Sequence, residues 1–282
     1  MTISYNKISR HPKIFFRLLG VRKEEFDILI SKLEVQWEQK VLNKYKRPGR
    51  NYKLTIQQML MMLLLYYRTY STQMQIGFMF GIDDSRVCRI IKILEPLVAR
   101  IVAIKKNRTL SYEESAQLID VTEQAIERPS KKQKNYFSGK KRRHTLKTEV
   151  RITFDGRIKN ISKSYKGKAH DFKIHKGAAP IPIGTRVYAD SGYQGINKRS
   201  KNARIPIKKS KKKPLSYWQK LYNKIVAKRR IKVENVIAEL KNFRILSHRY
   251  RNKRRGYNLK FNIIGGIVNL KNGFLNEQLA VI

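Results

Sequence analysis

The chain contains 282 residues, of which 63 are Lys or Arg and 20 are Asp or Glu, so its formal net charge is +43. Self-repulsion of this size opposes a compact fold unless a polyanion neutralises it, and a phosphate polymer is the obvious partner. Hydrophobic residues make up 41% of the chain, which supports a sizeable core and excludes a disordered protein. A single Cys excludes a disulfide framework and a cysteine-based zinc cluster.

No segment is predicted to enter a membrane. The longest apolar run, Met59–Tyr67, is much shorter than the roughly 20 residues that span a bilayer. The first residues, MTISYNKISRHPK, lack the apolar segment of a secretory signal. We therefore expect an intracellular globular protein that binds nucleic acid.

The first part of the chain is predicted to be helical. Residues 24–39 carry apolar side chains at helical spacing, and a basic linker with a turn signal follows at Lys44–Lys53. Leu54-Thr55 then opens a helix that runs through Met59–Tyr67.

The next two helices have the spacing of a helix-turn-helix. Ser71-Thr72 caps a short helix, Gln73–Phe80, which Gly81 ends, and Asp83 or Asp84 caps a third helix from Ser85 to about Arg100. A small three-helix bundle without a DNA role is the alternative, but the cationic remainder of the chain favours DNA contact. The residues that the third helix offers to DNA are Ser85, Arg86, Arg89 and Lys92.

After residue 114 the chain contains 42 basic but only ten acidic residues, and its hydrophobic period becomes that of alternating strands and helices. Strands are predicted at Gln117–Val121, at Thr145–Phe154 and Arg157–Ser164 around an Asp155-Gly156 hairpin turn, and at Thr185–Asp190. Helices are predicted at about residues 169–176, 217–243 and 259–272.

Three of these ten acids stand in unusual places. Asp120 and Asp190 each end a short apolar strand, and strand ends open into the crevice where α/β sheets bind ligands. Glu234 lies in the late helix, where helical spacing puts it on one face with Arg230 and Lys241, two candidate phosphate-binding cations.

Three carboxylates in a cationic cleft form a hard-oxygen site for Mg²⁺ or Mn²⁺. Two such ions about 4 Å apart can activate water and stabilise the leaving oxygen in phosphodiester cleavage. The alternative is that all three acids only form salt bridges with Lys or Arg.

Several motifs make the chain resemble a known family. They are IDVTEQAIERP around Asp120, FSGKKRRHTLK at Phe137–Lys147, GKAHDFKI around His170-Asp171, ADSGYQG around Asp190, and the spacing Arg230–Glu234–Lys241. Together they resemble the DDE transposases of bacterial insertion sequences, in particular the insertion sequence five group, which is similar to eukaryotic Harbinger elements. FGIDDSRVCRII at Phe80–Ile91 resembles the helix-turn-helix of these proteins, and the resemblance covers roughly residues 40–275.

The resemblance implies a fold and an activity. The expected fold is α/β, a ribonuclease H-like mixed sheet flanked by helices in residues 111–282, after an all-α region in residues 1–110 with the helix-turn-helix at about 54–100. Asp120, Asp190 and Glu234 are the implied catalytic residues and hold two Mg²⁺ or Mn²⁺ ions. The implied partners are the double-stranded terminal inverted repeats and target DNA, bound by a homodimer in the bacterial cytoplasm, at the nucleoid.

Other positions have roles only through this resemblance. His170-Asp171 is expected to brace the active-site strands or to contact a metal-bound water, with bracing favoured. Tyr193 either stacks on a base or sugar or packs under its own loop. The family's signature places a Tyr three residues before the Arg, and Ala227 stands there in this chain.

Three other functions compete with a transposase. A DNA-binding protein without catalysis, such as a repressor or a decayed copy, has no need of three carboxylates in a cationic cleft. A ribosomal type of RNA-binding protein matches the charge but usually carries it in extensions, without a large core. A metal-dependent nuclease that cuts without joining shares the whole site.

Overall fold

The computed structural model describes residues 3–42, 52–104, 116–209 and 214–274, and these residues form two compact units. The predicted linker at Lys44–Lys53 lies outside the described residues, except for its last two positions. Among the described residues, none of the helices combines the length and the apolarity needed to cross a lipid bilayer.

The first unit is helical. Its helices are α1 (Tyr5–Ser9), α2 (Pro12–Leu19), α3 (Lys23–Trp37, followed by a π-helical turn at Glu38–Leu42), α4 (Ile56–Thr69), α5 (Gln73–Phe80), α6 (Asp84–Val102) and the C-terminal α10 (Tyr257–Lys271). Helix α4 is buried from Met59 to Tyr67 and forms the centre of the core. The apolar run Met59–Tyr67, which is too short to span a membrane, is therefore a buried helix segment that packs on all sides.

Capping residues set the predicted helix-turn-helix boundaries. Thr72 and Gln75 form a capping box: the Thr72 hydroxyl accepts a hydrogen bond from the Gln75 amide at 3.2 Å, and the Gln75 side chain accepts one from the Thr72 amide at 3.0 Å. Gly81 ends α5 with a φ of +64°, which favours glycine. Asp83 is the N-cap residue of α6.

The C-terminal helix packs with this helical unit. The Lys260 ammonium of α10 contacts the Glu95 carboxylate of α6 at 2.9 Å, and both side chains are buried. A Cβ at Gly266 would lie 1.8 Å from the Val102 carbonyl oxygen, so α10 and the end of α6 touch backbone to backbone. The packing thus groups Lys241–His248 and the described residues after Asn258 with the helical unit, and the domain boundary at residue 111 stays a prediction.

The second unit is an α/β structure built on a seven-stranded sheet of described residues. Its strands are β1 (Ala116–Ala125), β2 (Phe137–Ser138), β3 (Arg143–Thr153), β4 (Ile158–Ile161), β5 (Tyr165–Lys166), β6 (Arg186–Tyr188) and β7 (Ala203–Arg204). The order is β2-β3-β1-β6-β7, and β4 and β5 also pair with β3. Strand β1 is antiparallel to β3 and parallel to β6, so the sheet is mixed as predicted.

Helices α7 (Gln133–Tyr136), α8 (Asp171–Lys176) and α9 (Tyr217–Lys241) complete this unit. The predicted hairpin is present as β3 and β4, joined by a turn in which Gly156 has a φ of +104°. A helical region followed by a mixed sheet flanked by helices confirms the predicted α/β fold class.

Candidate active site

The first two predicted acids belong to two neighbouring parallel strands: Asp120 lies on β1 and Asp190 follows β6. Asp190 follows β6 by two residues, but Asp120 does not end its strand as expected, because β1 continues to Ala125. Pairing with the long antiparallel strand β3 extends β1, and Asp120 is the Cα partner of Val150. The parallel pairing with β6, in contrast, ends at Leu118 and Tyr188, so Asp120 lies beyond the end of β6.

The third acid lies on α9. A capping box of Ser216 and Gln219 begins the helix, and its apolar stripe, which includes Val226 and Val233, is buried in the core. Arg230 lies on this buried face with an exposed fraction of 9%, and Glu234 is one turn further on.

The three carboxylates converge on the guanidinium of Arg230. Its Nη2 atom is 3.8 Å from Oδ1 of Asp120 and 3.6 Å from Oε1 of Glu234, and its Nη1 atom is 3.6 Å from Oδ1 of Asp190. The exposed fraction of the carboxylate side chains rises from 23% for Asp120 through 44% for Asp190 to 56% for Glu234. The site therefore has a buried base and an open side.

Asp120 has a perturbed acidity. Burial raises the pKa of its carboxyl group to about 6, opposed by the charge of Arg230 and a hydrogen bond from the Val121 amide. The negative charges of Asp190 and Glu234 add to the increase in pKa. Desolvation is thus the main cause, and neighbouring like charges are a smaller one.

The donor set suits a hard divalent cation, because all three side chains offer only carboxylate oxygens. As they stand, no three His, Cys, Asp or Glu side chains in the described parts of the chain are grouped closely enough to hold an ion. At this site the Arg230 guanidinium occupies the space between the carboxylates. The three carboxylates suit such an ion by their chemistry, and in this structure a guanidinium lies among them.

The loop after Asp190 is held by the predicted accessory motif. Asp190 caps a 3₁₀ turn, Ser191–Tyr193, through a hydrogen bond from the Ser191 amide. Oδ1 of Asp171 pairs with the Lys147 ammonium at 3.2 Å, and its Oδ2 atom would lie 2.7 Å from a Cβ at Gly192. Asp171 thus pairs with β3 and lies close to the Asp190 loop, whereas its neighbour His170 is exposed and precedes α8 as its N-cap residue without a side-chain capping bond.

Tyr193 packs under its own loop, which is the second of the two expected alternatives. Its side chain is fully buried, and its ring lies edge-on to His175 at 5.8 Å. Burial first, and then the negative charge of Glu149, raise the pKa of the Tyr193 hydroxyl well above its usual value. In this arrangement the ring is not available to stack on DNA.

A buried ionic cluster beside Tyr193 was not predicted. Glu149 accepts a hydrogen bond from Arg151 at 2.6 Å and contacts Nδ1 of His175 at 3.1 Å, and all three side chains are buried. Burial raises the pKa of Glu149, but His175 and Arg151 outweigh that effect and hold it below the usual value. One feature of the sequence could have indicated this cluster: an acid, Glu149, stands inside the predicted strand Thr145–Phe154.

The predicted DNA-reading side chains are all on the surface of α6. Ser85, Arg86, Arg89 and Lys92 are exposed. Arg86 forms an exposed ion pair with Asp83 at 3.5 Å, which leaves its cationic group at the surface. These residues lie in the helical unit and the carboxylates in the α/β unit, and Lys241, the last residue of α9, groups with the helical unit.

Comparison with known families agrees with both units. Residues 119–270, more than half of the chain, match the family described as DDE superfamily endonuclease. Residues 52–102 match the helix-turn-helix of DDE superfamily endonucleases. The chain therefore belongs to the DDE superfamily endonucleases, whose members generally use divalent metal ions.

Two relatives that match most of the chain indicate which kind of DDE superfamily protein it resembles. A protein of Microchaete diplosiphon, named as a transposase for insertion sequence element IS702, is 37% identical over 262 residues, which cover 90% of this chain and 93% of the relative. A protein of Streptomyces albus G, named as a transposase for insertion sequence element IS112, is 25% identical over 231 residues, 80% of this chain and 83% of the relative. These matches confirm the resemblance to DDE transposases with an N-terminal helix-turn-helix.

Proposed function

We propose that the chain is the transposase of its own insertion sequence. It binds the terminal inverted repeats, cuts the phosphodiester bonds at the ends of the element and joins the freed 3′-OH to target DNA. The observation that carries this proposal is the convergence of Asp120, Asp190 and Glu234 on one guanidinium. A protein that only binds DNA gains nothing from three carboxylates gathered in a cationic unit.

Asp120, Asp190 and Glu234 would hold the two divalent ions, Mg²⁺ or Mn²⁺. Such ions supply a water of lowered pKa and stabilise the leaving oxygen during phosphodiester cleavage. The chain itself provides a desolvated carboxylate at Asp120 and more exposed ones at Asp190 and Glu234, which face the side open to DNA. No side chain is needed as a nucleophile, in keeping with the burial of Tyr193.

Helix α6 would read the terminal repeats. Its first turns present Ser85, Arg86 and Arg89 to solvent, as in helix-turn-helix proteins whose recognition helix enters the major groove. Lys92 is positioned one turn further on for a phosphate contact. Because two ends of an element must be cut and joined together, we expect a homodimer on paired ends.

Two narrower functions share this site. An endonuclease without strand transfer uses the same carboxylates, and an inactive copy is suggested by Ala227, which replaces the Tyr of the family signature. Ala227 is exposed on α9, so the presence of Ala instead of the family's Tyr at this position leaves the buried base of the site intact. We therefore favour an active enzyme.

The test uses the full-length protein and a duplex that carries the ends of the element. With Mg²⁺ or Mn²⁺ we expect nicking at the ends and, on addition of target DNA, joined products; nicking without joining would indicate the endonuclease. Asp190→Asn should abolish nicking and leave DNA affinity intact, whereas Asp155→Asn, a change at an exposed turn carboxylate, should cut normally. Equal loss of binding and cutting in Asp190→Asn would make Asp190 a structural residue.

A further inference from the structure

Arg230 occupies an unusual electrostatic position. Its exposed fraction is only 9% and it lies between three carboxylates, yet the three pairs measure 3.6–3.8 Å, longer than hydrogen bonds. Its Nε atom is buried and has no hydrogen-bond partner among the described residues. A guanidinium has five N–H donors in a fixed fork, so Arg230 is close to its partners without being tightly bound to them.

Such an arrangement is costly for a purely structural residue. A buried cation requires well-formed hydrogen bonds to offset its desolvation, and an unsatisfied buried donor adds a further penalty. Gathering the carboxylates also costs free energy unless a cation is present, because three like charges at short range repel one another. Arg230 supplies the only positive side chain that contacts all three in the described part of the chain.

We infer that Arg230 is the resident counter-ion that holds the three carboxylates together before metal binds, and that metal binding displaces it toward the phosphate of the DNA. This inference rests on the metal site of the proposed function. The guanidinium and the ions compete for the same carboxylate oxygens, so they cannot be bound there together. The predicted role of Arg230 as a phosphate contact then belongs to the metal-loaded state.

Loose contacts make the exchange feasible. Only Glu234 is on the same helix as Arg230, four residues away, while Asp120 and Asp190 are on the sheet side of the site. The inferred exchange is a rotamer change of this long, unbranched side chain, with α9 kept in place. No well-formed hydrogen bond has to be broken in that step.

Mn²⁺ binding, measured by calorimetry and by the loss of the free-ion electron paramagnetic resonance signal, tests the competition without any activity assay. Removing the competitor in Arg230→Gln should tighten Mn²⁺ binding about fivefold or more. Arg229→Gln is the matched control, because Arg229 lies over the rings of Phe154 and Tyr188 and not between the carboxylates. Unchanged or weaker Mn²⁺ binding by a folded Arg230→Gln protein would overturn the inference.

A second variant and a second readout protect the test against misfolding. Arg230→Lys keeps the charge but cannot span three carboxylates, so it should also bind Mn²⁺ more tightly than the wild type. Without metal both variants should melt at a lower temperature than the wild type, and Mn²⁺ should raise their melting temperature more. If both remain unfolded even in excess Mn²⁺, Arg230 is a structural residue and the inference fails.

DNA affinity in Ca²⁺ and in a metal chelator provides an independent arm. Arg230→Gln should weaken DNA binding only when Ca²⁺ is present, because only then is the wild-type guanidinium free for a phosphate. An equal loss in both buffers contradicts displacement. Failure of the proposed function gives a different result. In that case the wild type would either bind no Mn²⁺ or bind it equally well after Asp190→Asn.

Discussion

Asp120 and Asp190 stand at the same level of two adjacent parallel strands. Leu118 of β1 and Tyr188 of β6 are Cα partners, and each acid follows its partner residue by two positions. Because β6 ends at Tyr188 while β1 continues, Asp120 lies beyond the end of the shorter strand, where its side chain keeps an exposed fraction of 23%. The open edge of a parallel strand pair is the usual ligand site of α/β sheets, and here it brings together two acids that are far apart in sequence.

The raised pKa of Asp120 has a consequence for stability in metal-free buffer. The native state holds its proton up to about pH 6, but the unfolded chain releases it near pH 4, so the free energy of unfolding should fall as pH rises through this window. Asp120→Asn removes this titration. In urea unfolding with a metal chelator, the free energy of unfolding of the variant relative to the wild type should increase from pH 4 to 7, by up to about 3 kcal/mol. A constant difference across that range would contradict the raised pKa.

The contact between Asp171 and the Asp190 loop predicts a positioning effect. In Gly192→Ala the new Cβ would lie 2.7 Å from Oδ2 of Asp171, so either the Asp171 carboxylate, which pairs with Lys147, or the loop that carries Asp190 must shift. We expect cleavage to slow by about 10- to 100-fold at unchanged DNA affinity, since small misplacements in an active site have effects of this size.

Two further variants check that interpretation. Gly139→Ala is the control, because a Cβ there meets nothing within 4 Å, and it should cut normally. Gly192→Ala combined with Asp171→Ala removes the clash and should cut faster than Gly192→Ala alone. A double variant slower than both single ones would show that the Asp171–Lys147 pair acts independently of the loop.

The exposed cations of α6 predict sequence-dependent binding. Arg89→Ala should weaken binding to the terminal repeats about tenfold and unrelated DNA much less, if Arg89 contacts a base edge. Lys13→Ala removes the same charge from an exposed position of α2 and should lower affinity for both duplexes equally and slightly. Titrations of both duplexes at several salt concentrations measure these effects. If Arg89→Ala weakens binding to both duplexes by a similar factor, Arg89 contacts only a phosphate and not a base edge.

The buried Lys260–Glu95 pair predicts that the helical unit depends on the C-terminal helix. Lys260→Met leaves Glu95 buried with the Tyr67 hydroxyl, at 2.9 Å, as its one partner in the part of the chain that the structure describes, and should lower the free energy of unfolding by about 3–5 kcal/mol. Adding Glu95→Gln removes the unpaired charge and keeps an acceptor for Tyr67, so the double variant should recover most of the loss. Denaturant unfolding of the wild type, both single variants and the double variant measures the coupling. Additive losses would place the two residues in independent environments.

Local sequence was sufficient for most of the secondary structure. Thr72 marks a helix start through its capping hydrogen bonds, Gly81 marks a helix end through its positive φ, and Asp83 precedes α6 in an extended conformation. Helices α5 and α6 therefore begin and end within about two residues of prediction. The ends of β1 were not predictable in this way, because pairing with β3 extends the strand past Asp120. Strand length depends on a partner that is distant in the chain.

The site shows the same division. The three acids could be selected from sequence because few carboxylates occur in so cationic a region, and because their motifs resemble a known family. The buried partners Glu149, Arg151 and His175 could not be selected, because β3 and α8 meet only after folding. Neither could the burial of Tyr193, for which sequence left two alternatives open.

The sequence by itself indicated a polyanionic partner, through a charge of +43, and singled out the three acids that we propose to be catalytic. Tertiary structure decided that Arg230 lies buried among those acids and that the C-terminal helix packs with the helix-turn-helix region. The physical reason is the separation along the chain between the residues that interact. Charge and capping are properties of residues and their near neighbours, whereas burial and ion pairing depend on which distant elements pack together.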